Sequence, residues 1–191
     1  MLKKGILFIL SGPSGVGKST LADKALRSGL GLEFSISCTT RPPRKNEKNG
    51  KQYFFISESG FKDKIKQGFF VEWAKVHGYY YGTSKEWITK KLKDGHDVLL
   101  DIDIQGVRSM KRMFPHGVYI FIAPPSKKEL TARIKGRKTE TKEALKTRIA
   151  NGEKEMKAIN MYDFVVTNDK ITKALALLKS IVISERCRNW K

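Results

Sequence analysis

Gly12-Pro13-Ser14-Gly15-Val16-Gly17-Lys18-Ser19 is the stretch on which the reading of this chain turns. It fits the spacing G-x-x-x-x-G-K-S/T, and it lies between an aliphatic run, 5–10, and a segment of helical character, 18–28. The chemistry of such a loop follows from its parts. Glycines let successive backbone N–H groups converge on one phosphate, and the following helix adds the positive end of its dipole. Lys18 is long enough to reach the β and γ oxygens of a triphosphate, and the Ser19 hydroxyl is a ligand for Mg²⁺. With Thr20, these eight residues form the expected ATP-phosphate site.

Working outward, aliphatic runs alternate with longer helical segments, which predicts an α/β fold: a parallel sheet core flanked by helices. Residues 5–10, 97–102, 118–122 and 164–166 are expected as strands buried on both faces. Residues 18–28, 105–113, 126–136, 141–158 and 170–186 are expected as helices, and Ser126 with Glu129 has capping-box spacing just after the Pro124-Pro125 breaker. Val98-Leu99-Leu100-Asp101-Ile102-Asp103 ends a strand in two carboxylates, either of which suits the metal beside Ser19. Alternation places both on one side of the strand; the plain alternative is that both cap the next turn.

Residues 33–95 break this rhythm. Short β-like pieces (52–56, 69–76, 79–81), loops rich in Gly, Asn and Pro, and two short helices predict an inserted mixed α+β subdomain. Residues 126–158 are charged, mostly helical and poor in large apolar side chains, the composition of a mobile lid. The core is then 1–32, 96–125 and 159–191.

The 191 residues favour one domain, and a chain of this size buries roughly 70% of its unfolded surface. Apolar residues at 40% and aromatics at 10% exclude disordered and fibrous classes. Lys plus Arg number 38 against 19 Asp plus Glu, a net charge of +19, so anionic partners are expected: nucleic acid, an acidic membrane or phosphorylated small molecules. Cys38 and Cys187 make no CxxC or zinc pattern, which fits a reducing cytoplasm. The apolar run behind Met1-Leu2-Lys3-Lys4 is too short for a signal peptide, and no stretch nears the ~20 residues that span a bilayer. His77, His96 and His116 form no cluster, and Trp73, Trp87 and Trp190 are expected to pack rather than bind.

The inserted stretch Thr39-Thr40-Arg41-Pro42-Pro43-Arg44-Lys45-Asn46-Glu47-Lys48-Asn49-Gly50-Lys51-Gln52-Tyr53-Phe54-Phe55 resembles the guanylate kinase signature at every defined position. Further matches follow in family order. They are Glu72, Tyr81-Gly82-Thr83, the run from Leu100 to Gly106, Ala123-Pro124-Pro125-Ser126, Gly136-Arg137, Thr139-Glu140-Thr141, Arg148 and Asn168-Asp169. The resemblance covers nearly the whole chain and implies a core of P-loop NTPase type. It implies transfer of the γ-phosphoryl group of ATP to GMP or dGMP, giving ADP and the diphosphate, in purine metabolism and GMP recycling, with Mg²⁺.

What the resemblance assigns to each residue makes chemical sense. Guanine presents N1–H and N2–H₂ donors on one edge and O6 and N7 acceptors on another. The resemblance gives the first edge to the Glu72 carboxylate, helped by Asp103, and O6 and N7 to the hydroxyls of Ser37 and Thr83. It gives the acceptor phosphate to Arg41, Arg44, Tyr53 and Tyr81, types that form bidentate and neutral hydrogen bonds to phosphate. Ser19 and Asp101 would hold the metal, Asp101 through its water shell. Lys18, Arg44, Arg137 and Arg148 would be catalytic, with Arg133 assisting from the lid over ATP and Asn168 and Asp169 near the adenine. No general base is needed, because the acceptor is already an anionic phosphate.

Three rivals remain. Guanylate-kinase-like scaffold modules bind phosphopeptides but typically lack a working phosphate loop, whereas Gly12, Gly17, Lys18, Ser19, Asp101, Arg137 and Arg148 are all present here, and no flanking interaction domain is expected. Nucleic-acid binding is suggested by the charge alone, with no recognised motif. AMP, UMP or dTMP as acceptor is disfavoured by Glu72. The expectation is a cytoplasmic monomer or weak homodimer with no specific nucleic-acid partner and no membrane. Residues 37–56 carry five basic and one acidic side chain, and 127–157 eleven against five. More than half of the surplus thus surrounds the expected nucleotides.

Overall fold

In the computed structural model, residues 4–76, 78–135, 149–152 and 154–189 are described. β1 (Leu7–Ser11) is buried along its entire length because it runs up the middle of a five-stranded parallel sheet of order β2-β7-β1-β8-β9. β7 (Asp97–Asp101) pairs with it on one side and β8 (Val118–Ala123) on the other, while β2 (Leu32–Phe34) and β9 (Phe164–Thr167) are the edges. Alternation sorts the side chains into two layers. Phe8, Leu10, Leu99, Ile120 and Ile122 pack with Leu21 and Ala25 of α1 (Lys18–Leu26) and with Ala174, Leu178 and Val182 of the C-terminal helix, Ile171–Cys187. Leu7, Ile9, Val98, Leu100 and Tyr119 pack on the other face with Ile88, Val107 and Met110. Strands covered on both faces have no solvent side, which is why their sequences read as unbroken aliphatic runs.

The inserted region has a sheet of its own, order β4-β3-β6-β5. β3 (Cys38–Thr39) runs parallel to β4 (Phe54–Phe55) and antiparallel to β6 (Tyr79–Ser84), which pairs with β5 (Phe70–Val76). The β5–β6 register shifts between Phe70 and Glu72. α2 (Glu58–Lys66) starts at Ser57, whose Oγ accepts from the Gly60 N–H, and α3 (Lys85–Lys93) starts at Ser84, whose Oγ accepts from the Trp87 N–H. Both are N-caps of the usual kind. Phe61 and Phe70 stack at 4.4 Å beside Cys38 to form a small separate core. α4 (Ile104–Met113) follows β7 and packs against β5, joining the two sheets.

Several expectations are corrected in detail. The main sheet continues past residue 32, since β2 pairs with β7, and the second sheet begins only at Cys38. The strand expected over 52–56 narrows to Phe54–Phe55, and the one expected over 79–81 extends to Ser84, which brings Thr83 into register opposite Glu72. α5 is Lys127–Lys135; the helix expected over 141–158 is described only from 149, and Lys157–Met161 is a 3₁₀ turn. Trp73 packs on the surface: it is 47% exposed on β5, with its ring 6.0 Å from that of Tyr80.

Candidate active site

β1 delivers the chain to the loop, and the loop turns directly into α1. Gly17 has φ +96°, a left-handed conformation unfavourable for any side chain, and a Cβ there would also lie 2.6 Å from Nδ2 of Asn168. That amide donates to the Val16 carbonyl at 2.8 Å, so Asn168 braces the loop from the end of β9. Val16 itself is fully buried, and Pro13 is buried beside it. Lys18 Nζ donates to the carbonyls of Gly12 (2.7 Å) and Pro13 (3.2 Å), which places the ammonium at the mouth of the loop. Ser14, Gly15, Gly17, Ser19 and Thr20 line the adjoining cleft.

Ser19 Oγ donates to Asp101 Oδ2 at 2.9 Å, bringing together the hydroxyl and carboxylate expected to hold a metal. Burial pushes the Asp101 carboxyl above its ordinary value, with Lys18 and the Ser19 hydroxyl pulling the other way. β7 ends at Asp101, so strand alternation does not govern Asp103. That residue is instead the N-cap of α4, its Oδ1 accepting from the Gln105 N–H at 2.9 Å.

The cleft holds about 340 Å³ and is lined by the phosphate loop, by Ser37, Arg44, Tyr53, Glu72 and Tyr81 of the inserted region and by Asp101 and Asp103 of the core, while Arg41 and Thr83 lie behind this lining. Glu72 is 6% exposed. Thr83 donates to its Oε1 at 2.6 Å, and Ser37 and Thr83 share a hydrogen bond of 3.2 Å. Burial raises the Glu72 carboxyl to about 7; the Thr83 hydroxyl opposes that, and nearby Asp103 adds to it. Nearer the mouth, Tyr53 and Tyr81 meet edge to face at 5.8 Å, with the Arg41 guanidinium 5.6 Å from the Tyr53 ring centre. Burial pushes the Tyr53 phenol well up, so it remains a neutral donor.

Arg133 of α5 donates to Glu129 and to the Asn168 carbonyl, both at 2.9 Å, tying α5 to the segment after β9. Asp169 is exposed beside it. Arg137 and Arg148 lie outside the described residues, as do His77 and Trp190. Cys38, which lies within the acceptor-site stretch, is buried, and burial raises its thiol, so it is poorly nucleophilic. Among the described residues, no three His, Cys, Asp or Glu side chains form a metal-holding group.

Two acids at the site were not anticipated. Glu47 takes both of its carboxylate contacts from Arg41 Nη2, at 2.8 Å each, and accepts from the Arg44 N–H at 2.8 Å. Glu155 reaches the phosphate loop, where its Oε2 accepts from the Ser14 N–H at 3.3 Å. Neither has a periodic signal: Glu47 is a lone acid among lysines, and Glu155 stands 141 residues from its partner.

The comparisons agree with this geometry. The guanylate kinase family profile matches residues 4–185. The guanylate kinase of Caldanaerobacter subterraneus subsp. tengcongensis is 47% identical over 186 residues, covering 97% of this chain and 90% of that protein. That of Syntrophomonas wolfei is 46% identical over 188 residues, covering 98% and 96%. Among solved structures, guanylate kinase from Anaplasma phagocytophilum superposes with a TM-score of 0.82 at 31% identity, covering 98% of this chain and 89% of that one. With a phosphate loop and a buried carboxylate on one cleft, and with these matches over nearly its whole length, the chain belongs to the guanylate kinase family.

Proposed function

We propose that the chain transfers the γ-phosphoryl group of ATP to GMP, giving ADP and GDP, with the two nucleotides meeting end to end in the cleft. The observation that carries this reading is that Glu72 and the phosphate loop line one and the same cleft. A buried carboxylate accepts from N1–H and N2–H₂ of guanine, whereas adenine would turn a lone pair toward it. Buried polar groups left unpaired penalise the wrong base by about 1–3 kcal/mol each. Thr83 holds the carboxylate and Ser37 holds Thr83; to serve O6 or N7 of the base, either hydroxyl turns its one proton from its present partner.

Phosphoryl transfer between two anions is governed by alignment and neutralisation. Arg41, Arg44, Tyr53 and Tyr81 hold the GMP phosphate, the loop amides and α1 hold the triphosphate, and Lys18 follows the γ-phosphate toward the acceptor oxygen. Arg133 orients the lid against the Asn168–Asp169 segment, and Arg137 and Arg148 supply further charge. Lid closure excludes water and limits ATP hydrolysis.

The residues present fit Mg²⁺. Ser19 Oγ and Asp101 Oδ2 are adjacent oxygens, and the half-buried Asp101 carboxylate carries a desolvation cost that a divalent ion offsets. Two protein ligands suit an ion that keeps several waters and takes its remaining oxygens from phosphates. When bound, it neutralises charge on the β- and γ-phosphates. Among the described residues, no helix is long and apolar enough to cross a membrane.

The test is ADP production measured with GMP, dGMP, AMP, UMP and dTMP in turn. Turnover confined to the guanine nucleotides supports the reading, and robust turnover with AMP but none with GMP overturns it.

A further inference from the structure

We propose that Gly106 is a specificity-determining positioning residue: the bare Cα in the first turn of α4 is what allows the Glu72 carboxylate to seat where it reads the base. This rests on the reading of Glu72 as the guanine-binding group.

Gly106 is the third residue of α4 and is buried. Its backbone is not among the left-handed glycines of the chain, so no conformational demand requires glycine here. Glycine is instead a liability in a helix, disfavoured against every residue but proline. The reason for it is steric. A Cβ at 106 would overlap Oε2 of Glu72 outright and would lie 3.0 Å from its Cδ and 3.4 Å from its Cγ. Glu72 has no easy retreat, because its other oxygen is held by Thr83 at 2.6 Å and Thr83 by Ser37. The carboxylate is thus fixed from β6 on one side and admitted by α4 on the other.

The same contact lies where α4 packs on β5, the seam between the inserted sheet and the core. Gly106 therefore acts through Glu72 and does not itself touch the nucleotide. A methyl group here displaces the carboxylate from the plane of the base, while the phosphate loop, Lys18 and the Ser19–Asp101 pair are left as they are.

The experiment is a double-variant cycle of Gly106→Ala with Glu72→Ala, read by steady-state kinetics and thermal melting. Gly106→Ala is expected to raise the KM for GMP about tenfold or more, to leave the KM for ATP within about twofold, and to reduce the preference for GMP over IMP, which lacks the N2 amine. In the Glu72→Ala background the obstacle is gone. There, Gly106→Ala is expected to add no further loss in GMP use and to keep or raise the melting temperature, as the better helix former. An unchanged GMP KM in Gly106→Ala overturns the inference, as does a double variant that melts below Glu72→Ala alone. If Gly106→Ala fails to fold, the melting comparison in the Glu72→Ala background decides. Glu72→Gln is the control for the parent reading: if it leaves GMP use intact, the reading of Glu72 fails, whereas a large effect there with none at Gly106 fails this inference alone.

Discussion

The Arg41 guanidinium lies against both oxygens of Glu47, Nη2 at 2.8 Å from each, with the two side chains only 12% and 14% exposed. Burial pushes the Glu47 carboxyl up, but the Arg44 N–H and the Arg41 guanidinium together hold it below its ordinary value. The pair sets the direction of the arginine proposed above to hold the GMP phosphate and keeps its long side chain from sampling other rotamers. Glu47→Gln is therefore expected to raise the GMP KM by about tenfold, the cost of a lost charge-assisted bond, with the ATP KM unchanged. Initial-rate kinetics at saturating ATP measures this; an unaffected GMP KM shows that Arg41 is aimed without Glu47.

Glu72 should make GMP binding depend on pH. The guanine edge offers donors, so the ionised carboxylate is the binding form, and in the free protein its pKa is about 7. The GMP KM is expected to fall as pH rises through 7 and then to level off, while the ATP KM does not share this step. Because the folded pKa is raised above the unfolded one, the group's contribution to folding stability is present below about 4.5 and is lost as pH rises through about 7. Glu72→Gln should flatten both profiles and raise the GMP KM about 100-fold. An unchanged pH profile in that variant would place the titrating group elsewhere.

Asn168 and Val16 are linked across 152 residues by a 2.8 Å hydrogen bond. Asn168→Ala leaves the buried Val16 carbonyl unpaired and is expected to cost about 1–3 kcal/mol of stability. It should also raise the ATP KM through loosening of the loop. Urea denaturation and ATP titration are the measurements; a variant with wild-type values for both removes the bracing role.

Lys18 contributes charge at the loop mouth. Lys18→Met keeps the aliphatic stem and removes only the ammonium, so turnover is expected to fall about 100-fold or more with the GMP KM little changed. A variant retaining wild-type kcat contradicts the role given to Lys18.

Much of this site is legible in the chain because its parts are local. Gly12 to Ser19 is one contiguous turn whose glycines, lysine and hydroxyl have fixed offsets, and the aliphatic runs beside it can only be strands covered on both faces. The acceptor stretch carries Arg41, Arg44 and Tyr53 at set spacings for the same reason. Asp103 shows where local reasoning ends. Its alternation with Asp101 holds only while the strand continues, and the strand stops at Asp101, so Asp103 caps α4 instead.

The sequence by itself therefore determined the parallel α/β core, the phosphate loop and the types of residue available to two nucleotides. Only the tertiary structure decided which of these residues meet. Glu72 and Gly106, Arg41 and Glu47, Ser19 and Asp101, and Asn168 and Val16 are brought together by strand order and helix packing. No periodicity along the chain encodes such approaches, because each one is fixed by side-chain volume and hydrogen-bond geometry between separate elements.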